Sequence, residues 1–227
     1  MLVKLVSYSQ PTEEFKAEGI DTAQELVAYC ARVSNPQNQM NTETSERLIR
    51  YLVKHQHWSP LEMVSVCLEI TTTRDIARQI LRHRSFSFQE FSQRYADARD
   101  LADQFVLREP RMQDHKNRQN SVAIDLDTDD GRRLAWMWEQ QQKRVIDVVK
   151  EAYAWALDAG IAKEQARAVL PEGLTTSRMY MNGTLRSWIH YIELRAANGT
   201  QLEHQLIAQE CAGVIARVFP LAAGLGQ

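Results

Sequence analysis

Apolar and polar residues recur along this chain at two periods, near two and near 3.6, and the switches between them mark its elements. Residues 2–9 alternate and predict a first strand, opening Leu2-Val3-Lys4-Leu5-Val6. Thr22-Ala23-Gln24-Glu25 has the form of a capping box, and Leu26, Val27, Cys30 and Val33 follow at helical spacing. Asn35-Pro36 closes that helix, because the residue before a proline avoids helical backbone. A second amphipathic helix is predicted from Thr42 to Gln56, with Leu48, Ile49, Leu52 and Val53 inward. Glu62 to Thr73 is the clearest strand: Val64, Val66, Leu68 and Ile70 share one side, and Met63, Ser65, Cys67 and Glu69 the other. Asp75 to Leu81 reads as a short helix, with Asp75 as N-cap and Ile76, Ala77, Ile80 and Leu81 as its apolar residues. After Arg84 the period returns to two, so Phe86 to Arg94 reads as extended.

The second half is more helical. Residues 96–130 are charged, poor in aliphatics and contain Pro110, which predicts a short helix and then a mobile surface excursion. Asp125 to Gly131 looks like a calcium loop but fails its spacing: the glycine is one place late and the twelfth position is Trp136. Its aspartates are read as capping the next helix, from about Asp130 to Ala159. There Leu134, Trp138, Gln141, Val145, Val148, Ala152 and Trp155 keep a seven-residue beat until Gly160, a seam suited to a core or to subunit contacts. A short helix ends at Ala166-Arg167-Ala168-Val169-Leu170-Pro171. Leu174 to Met181 reads as a strand, Asn182-Gly183 as a turn, and Thr184 to Ala196 as a helix with Leu185, Trp188, Ile189 and Ile192 apolar. Thr200-Gln201-Leu202-Glu203 reads as another capping box, opening a last helix with Leu206, Ile207, Cys211, Val214 and Val218 inward and Pro220 at its end. The elements add up to one α+β domain over residues 1–227, a small, mostly antiparallel sheet wrapped by helices.

Composition narrows the function. At 227 residues and 44% hydrophobic, the chain can bury one sizeable core. A net charge of −2 gives no global field for nucleic acid or an anionic membrane, so phosphate must be held by local arginines. Cys30, Cys67 and Cys211 are few, odd in number and far apart, which predicts free thiols in a reducing, cytoplasmic setting. No run is long and apolar enough to span a bilayer, and the N-terminus lacks the form of a signal peptide. His55 and His57 lie two apart with no third ligand in place, so no metal site is expected. There is no Gly-x-Gly-x-x-Gly and no Walker loop.

The densest chemistry lies in Leu81-Arg82-His83-Arg84-Ser85-Phe86-Ser87-Phe88-Gln89-Glu90-Phe91-Ser92-Gln93-Arg94-Tyr95. On the preceding helix Arg78 and Arg82 are neighbours at i, i+4, and Gln79 and Arg82 at i, i+3. If the following stretch is extended, Glu90, Ser92 and Arg94 point one way and offer an acceptor, a hydroxyl and a forked cation to a phosphorylated ligand. The same residues also fit an arginine-rich edge strand on a solvated face. Further on, Arg186 and His190 share a helix face at i, i+4. Arg195, nine residues beyond Arg186, falls nearly opposite, an arrangement suited to two ligands or two adjoining sites.

The spacing Arg82-His83-Arg84, seven residues, Ser92, then Arg94-Tyr95 resembles the signature of the flavin-dependent thymidylate synthases. His57-x-Ser59-Pro60-x-Glu62, Ala31-Arg32-Val33-Ser34, Arg167 four before Pro171, and Arg186-Ser187 with Leu194-Arg195 extend the resemblance over most of the chain. Met63, Gln89 and Thr184 depart from the family pattern, which has histidine, asparagine and asparagine there. The resemblance implies methylation of dUMP to dTMP, with methylenetetrahydrofolate as carbon donor and NADPH-reduced FAD as hydride source, in a homotetramer with sites at subunit junctions. It assigns FAD to Ser34, His57, Ser59, Arg82, His83, Arg84, Glu90, Thr184, Arg186 and His190. It assigns dUMP to Gln79, Arg82, Glu90, Phe91, Ser92, Gln93, Arg94, Arg167 and Arg195, with Arg195 catalytic. A non-catalytic nucleotide or RNA-binding module using arginine and aromatic stacking is the alternative, and a yellow purified protein distinguishes the two.

Overall fold

The computed structural model describes residues 2–101 and 104–224. In chain order its elements are β1 (Leu2–Tyr8), α1 (Glu13–Ala17), α2 (Ala23–Ala31), α3 (Ser45–Lys54), β2 (Ser65–Thr73), α4 (Arg74–Ile80), β3 (Ser87–Glu90), β4 (Arg111–Gln113), β5 (Ser121–Ala123), α5 (Asp129–Asp158), α6 (Lys163–Ala166), β6 (Thr176–Thr184), α7 (Leu185–Arg195) and α8 (Leu202–Ile215). One four-stranded sheet has the order β1-β2-β6-β3, and each pair in it is antiparallel. β4 and β5 form a separate hairpin. The expected α+β architecture is the one observed.

Alternation decides which face of the sheet is covered. Val64, Val66, Leu68 and Ile70 are at most 1% exposed, as are Met179 and Met181 of the neighbouring strand. Helices α4, α7 and α8 supply Ile76, Ile80, Trp188, Ile192, Ile207 and Cys211 to the same core. Each fully buried aliphatic of this kind contributes about 1.5–3 kcal/mol. The Thr22–Glu25 capping box forms as expected, with Glu25 N–H on Thr22 Oγ1 at 3.1 Å and Thr22 N–H on Glu25 Oε2 at 2.8 Å.

Several expectations are corrected. The helix after β2 is preceded by Thr73 as N-cap, and Asp75 lies inside its first turn. Asp75 there accepts from Thr73 Oγ1 at 2.5 Å and from Arg108 Nη2 at 2.7 Å. Extended backbone stops at Glu90: residues 93–95 form a turn in which the Tyr95 and Ala96 amides donate to the Ser92 carbonyl. Asn182-Gly183 makes no turn, because β6 runs through both to Thr184 and pairs Gly183 with Val66. A Cβ on Gly183 would stand 2.4 Å from Phe86 Cδ1, so close approach of a ring explains this glycine. Glu203 does not close a capping box: α8 starts without a side-chain cap, since that carboxylate is drawn to Arg108 and Arg111.

The stretch 96–130 also departs from expectation; Ala102 and Asp103 within it lie outside the described residues. A short 3-10 turn at Ala98–Asp100 precedes a segment bridged to the sheet at Phe105–Thr175, and the β4–β5 hairpin follows. Thr128 caps α5 by accepting from Gly131 N–H at 3.1 Å, with Asp129 and Asp130 in the first turn. Within the chain α5 buries Gln142, Ile146, Tyr153 and Ala156. The seven-residue seam lies on another stripe, and Trp138, Val145, Val148 and Trp155 are exposed. On α8, Leu206 faces out while Ile207, Cys211 and Val214 are buried.

Candidate active site

Two helices leave the central strand pair without a loop. β2 passes directly into α4, and β6 passes directly into α7. The turn after α4 carries His83, and the last residue of α7 is Arg195; Arg195 Nε donates to His83 Nε2 at 2.9 Å. His83 therefore accepts at Nε2 and holds its proton on Nδ1. Burial, then the nearby Arg195 charge, brings the His83 pKa down to about 4, so the ring is neutral near pH 7. Among the described residues Arg195 Nη1 and Nη2 have no hydrogen-bond or ion-pair partner. Arg195 is thus held by its stem-side nitrogen and presents its two terminal NH2 groups, four N–H donors, free of any partner among the described residues.

A polar network backs this pair. Gln79 Nε2 donates to Gln201 Oε1 at 2.8 Å, and Gln79 Oε1 lies 3.2 Å from His204 Nδ1. His204 Nε2 lies 3.2 Å from the Tyr191 hydroxyl, and the Tyr191 ring meets His83 edge-on at 4.9 Å. Both His204 and Tyr191 are buried. Arg82 and Arg84 flank His83 on exposed backbone turns, and among the described residues neither guanidinium has an ion-pair partner. Arg82 lies beyond the end of α4, in the turn that follows it.

Arg78 turns instead to Glu90, donating to both carboxylate oxygens at 3.0 and 2.9 Å. Ser177 Oγ donates to Glu90 Oε1 at 2.7 Å, and Arg74 Nη1 lies 3.7 Å away. Glu90 is therefore fully engaged within the chain. Phe91 N–H donates to the Arg178 carbonyl at 2.8 Å, and Ser92 is exposed. Gln93 is buried, with its Nε2 unpartnered. Arg94 reaches Glu164 of α6 at 3.6 Å, and Lys163 donates to the Tyr95 carbonyl at 3.2 Å. Arg167 follows α6 half-buried, with no side-chain partner among the described residues. The 91–95 loop and Arg167 thus share a support in α6.

The other face of α7 meets the turn Ser59–Glu62. Arg186 Nη1 donates to Glu62 Oε1 at 2.6 Å, and the His190 and Trp58 rings lie 4.4 Å apart. Ser59 and His57 are exposed, and His57 meets Tyr51 edge-on at 6.0 Å. Thr184 caps α7, its Oγ1 accepting from Ser187 N–H at 3.4 Å. Ser34 is exposed beyond α2, which packs near the Ser59–Glu62 turn. So α7 carries Arg186 and His190 on one side and Arg195 at its far end, about 13 Å along the axis.

The structure joins Gln79, His83 and Arg195 in one network, and Arg186 and His190 in a second group. Within one chain it connects neither to Arg94 and Arg167 by any contact described. Sequence reading missed His204, Tyr191 and Gln201, and gave Arg78 no partner. A histidine beside Ile207 and Ala208 on an apolar helix face was the available signal for His204. Of the three thiols, Cys211 lies in the same buried cluster as Tyr191 of this network. Burial pushes Cys30, Cys67 and, most strongly, the fully buried Cys211 above the usual thiol range, so none is a ready thiolate.

This architecture is shared with a nucleotide-methylating enzyme. The UMP/dUMP methylase PolB from Streptomyces cacaoi, solved with 5-Br dUMP, superposes with a TM-score of 0.76 at 26% identity, over 97% of this chain and 92% of that one. A family model described as thymidylate synthase complementing protein matches residues 18–221. A relative from Paramecium bursaria Chlorella virus 1, named "Probable flavin-dependent thymidylate synthase", is 48% identical over 220 residues, 97% of this chain and 96% of that one. The flavin-dependent thymidylate synthase of Synechocystis sp. is 45% identical over 223 residues, covering 98% of each chain. The chain belongs to the flavin-dependent thymidylate synthase family.

Proposed function

We propose that the protein converts dUMP to dTMP, taking the carbon from methylenetetrahydrofolate and using FAD reduced by NADPH. The observation that carries this reading is the Arg195 guanidinium, fixed through Nε by a neutral His83, with both NH2 groups unpartnered among the described residues. Methylation at carbon 5 of uracil requires that carbon to become electron-rich. A thiol adding at carbon 6 is one route, and the raised Cys30, Cys67 and Cys211 pKa values argue against it. A positive group beside the ring's carbonyl edge is the other, because it stabilises the negative charge that builds there. A preorganised donor of that kind is worth about 3–4 kcal/mol of barrier.

The chain's own residues fit the two ligands. Arg82 and Arg84, on either side of His83 and without an ion-pair partner among the described residues, suit a diphosphate, and Arg186 and His190 offer a second anchor beside Ser59 and Glu62. We assign FAD to these residues with Ser34, His57, His83, Glu90 and Thr184, the last also serving as a helix cap. When bound, FAD supplies the hydride that completes the methyl group. We assign dUMP to Gln79, Arg82, Arg195 and a phosphate cradle of Glu90, Phe91, Ser92, Gln93, Arg94 and Arg167. The unpartnered Gln93 Nε2 and an Arg167 guanidinium without a partner among the described residues support that cradle. Glu90 acts there chiefly by holding Arg78.

The cradle and the Arg195 network are separate groups within one chain, and the α5 seam is exposed. Both features support a homotetramer in which neighbouring copies complete each site. We take residues 1–227 as one domain and the protein as cytoplasmic; among the described residues no helix is long and apolar enough to cross a membrane. The test is release of tritium from carbon 5 of dUMP under anaerobic conditions, with FAD, NADPH and methylenetetrahydrofolate. Absence of release, or a colourless protein that does not take up FAD, refutes the reading.

A further inference from the structure

A line of hydrogen bonds at the start of α8 has only one possible polarity. It begins at Glu203, 6% exposed. Burial raises the Glu203 pKa, but bonds from Arg111 and Gln201 and the Arg108 charge outweigh it and leave the group below the usual range. The carboxylate is therefore ionised and can only accept. Arg111 Nη2 reaches Oε1 at 2.6 Å and Arg108 Nη1 at 3.3 Å, while Gln201 Nε2 donates to Oε2 at 3.0 Å. That orients the Gln201 amide, so its Oε1 accepts from Gln79 Nε2 at 2.8 Å. Gln79 then turns Oε1 to His204, 3.2 Å from Nδ1. Nδ1 must carry the proton, and Nε2 must accept from the Tyr191 hydroxyl at 3.2 Å. Every donor and acceptor follows from one buried negative charge.

We propose that Glu203 and His204 are positioning residues for the nucleotide: they lock the Gln79 amide in one orientation within the network that backs His83 and Arg195. An unlocked amide presents either its oxygen or its NH2 group to a ligand. The locked amide keeps one remaining lone pair and one remaining N–H in fixed places. This inference rests on the dUMP reading of the Arg195 site, but its central claim concerns protons that can be seen without turnover.

Glu203→Gln tests it. A glutamine at that position keeps its oxygen toward the two arginines and turns its NH2 to Gln201. Gln201, Gln79 and His204 must then all reverse, and His204 moves its proton to Nε2. Nitrogen and carbon NMR of imidazole-labelled holoenzyme reads this directly. The expected result is an Nδ1–H tautomer at His204 in the parent and in Glu203→Asp, and Nε2–H in Glu203→Gln. The KM for dUMP should rise roughly tenfold in Glu203→Gln, one hydrogen bond's worth, with kcat little changed. His204→Asn, whose amide can still donate to Gln79, should keep a parental KM, whereas His204→Leu should raise it. These two variants serve if Glu203→Gln fails to fold. An unchanged tautomer in folded Glu203→Gln overturns the inference. So does an unchanged dUMP KM in Glu203→Gln or His204→Leu. Failure of the parent to release tritium from dUMP refutes the functional reading alone, because the tautomer does not depend on it.

Discussion

Gly183→Ala should destabilise the protein through a single contact. Position 183 is the last but one residue of β6, still paired with Val66, and its φ is not positive, so only space is at issue. The added methyl carbon would stand 2.4 Å from Phe86 Cδ1 and 2.6 Å from Cε1. Normal carbon contacts begin near 3.5 Å, so ring and strand must part by about 1 Å. The ring has little room to yield: it meets Trp188 edge-on at 4.8 Å, and Trp188 is 1% exposed with Nε1 bonded to the Val66 carbonyl at 3.0 Å. Overpacking of this kind costs about 1–3 kcal/mol. For a chain of this size each kcal/mol lowers Tm by about 2–4 °C, so a fall of roughly 2–12 °C is expected. Alanine otherwise improves on glycine in a strand, so propensity works in the opposite direction. Four proteins settle the cause: parent, Gly183→Ala, Phe86→Leu and the double variant, unfolded by urea at one fixed FAD concentration. Shortening the ring should remove most of the penalty, giving a coupling of about 1 kcal/mol or more. A Gly183→Ala cost that is the same in both backgrounds refutes the contact argument.

Arg195→Lys keeps a charge but loses the Nε anchor and the fork; turnover should fall roughly 10²- to 10³-fold, and single-turnover dTMP formation within about tenfold of the parent would contradict the role given to the guanidinium. His83 and His204 titrate at about 4 and about 3 in the folded chain, below the ordinary 6.5. The unfolded chain therefore takes up protons first: their contribution is complete above 6.5 and is lost as pH falls toward 4 and 3. Urea midpoints measured from pH 7.5 down to about 4.5 should decline, and a His204→Asn variant should decline less steeply. A variant with Cys30, Cys67 and Cys211 all replaced by alanine should keep dTMP formation while losing about 1 kcal/mol or more of stability at the buried Cys211 position. Loss of turnover in that variant, with folding intact, would restore a thiol mechanism.

Elements with strong periodicity were legible in the sequence. The alternation from Val64 to Ile70 identified both the strand and its buried face, and the Thr22–Glu25 box located a helix start to the residue. Errors arose where tertiary charge pairing or packing overrode a local signal. Glu203 has the spacing of a capping residue, yet Arg108 and Arg111 outbid the helix end for its carboxylate. Asn182-Gly183 has turn composition, but pairing with β2 holds it extended. The excursion after residue 96 looked mobile because it is poor in aliphatics; Ala98, Phe105 and the bonds of Arg108 and Arg111 anchor it instead. In the site, Arg82, His83 and Arg195 could be singled out by type and spacing. That His83 would grip Arg195 could not, since 112 residues separate them.

The joins between strands and helices bear on how this enzyme matures. β2 and β6 pair across more than a hundred residues, and α4 and α7 start at opposite ends of that pair. Such non-local pairing is slow to form, since a long loop must close before any contact repays it. Nucleotide affinity should therefore emerge late and abruptly during refolding, in step with sheet formation. Early collapsed states, however helical, would have His83 and Arg195 on unconnected segments and lack the proposed pyrimidine site.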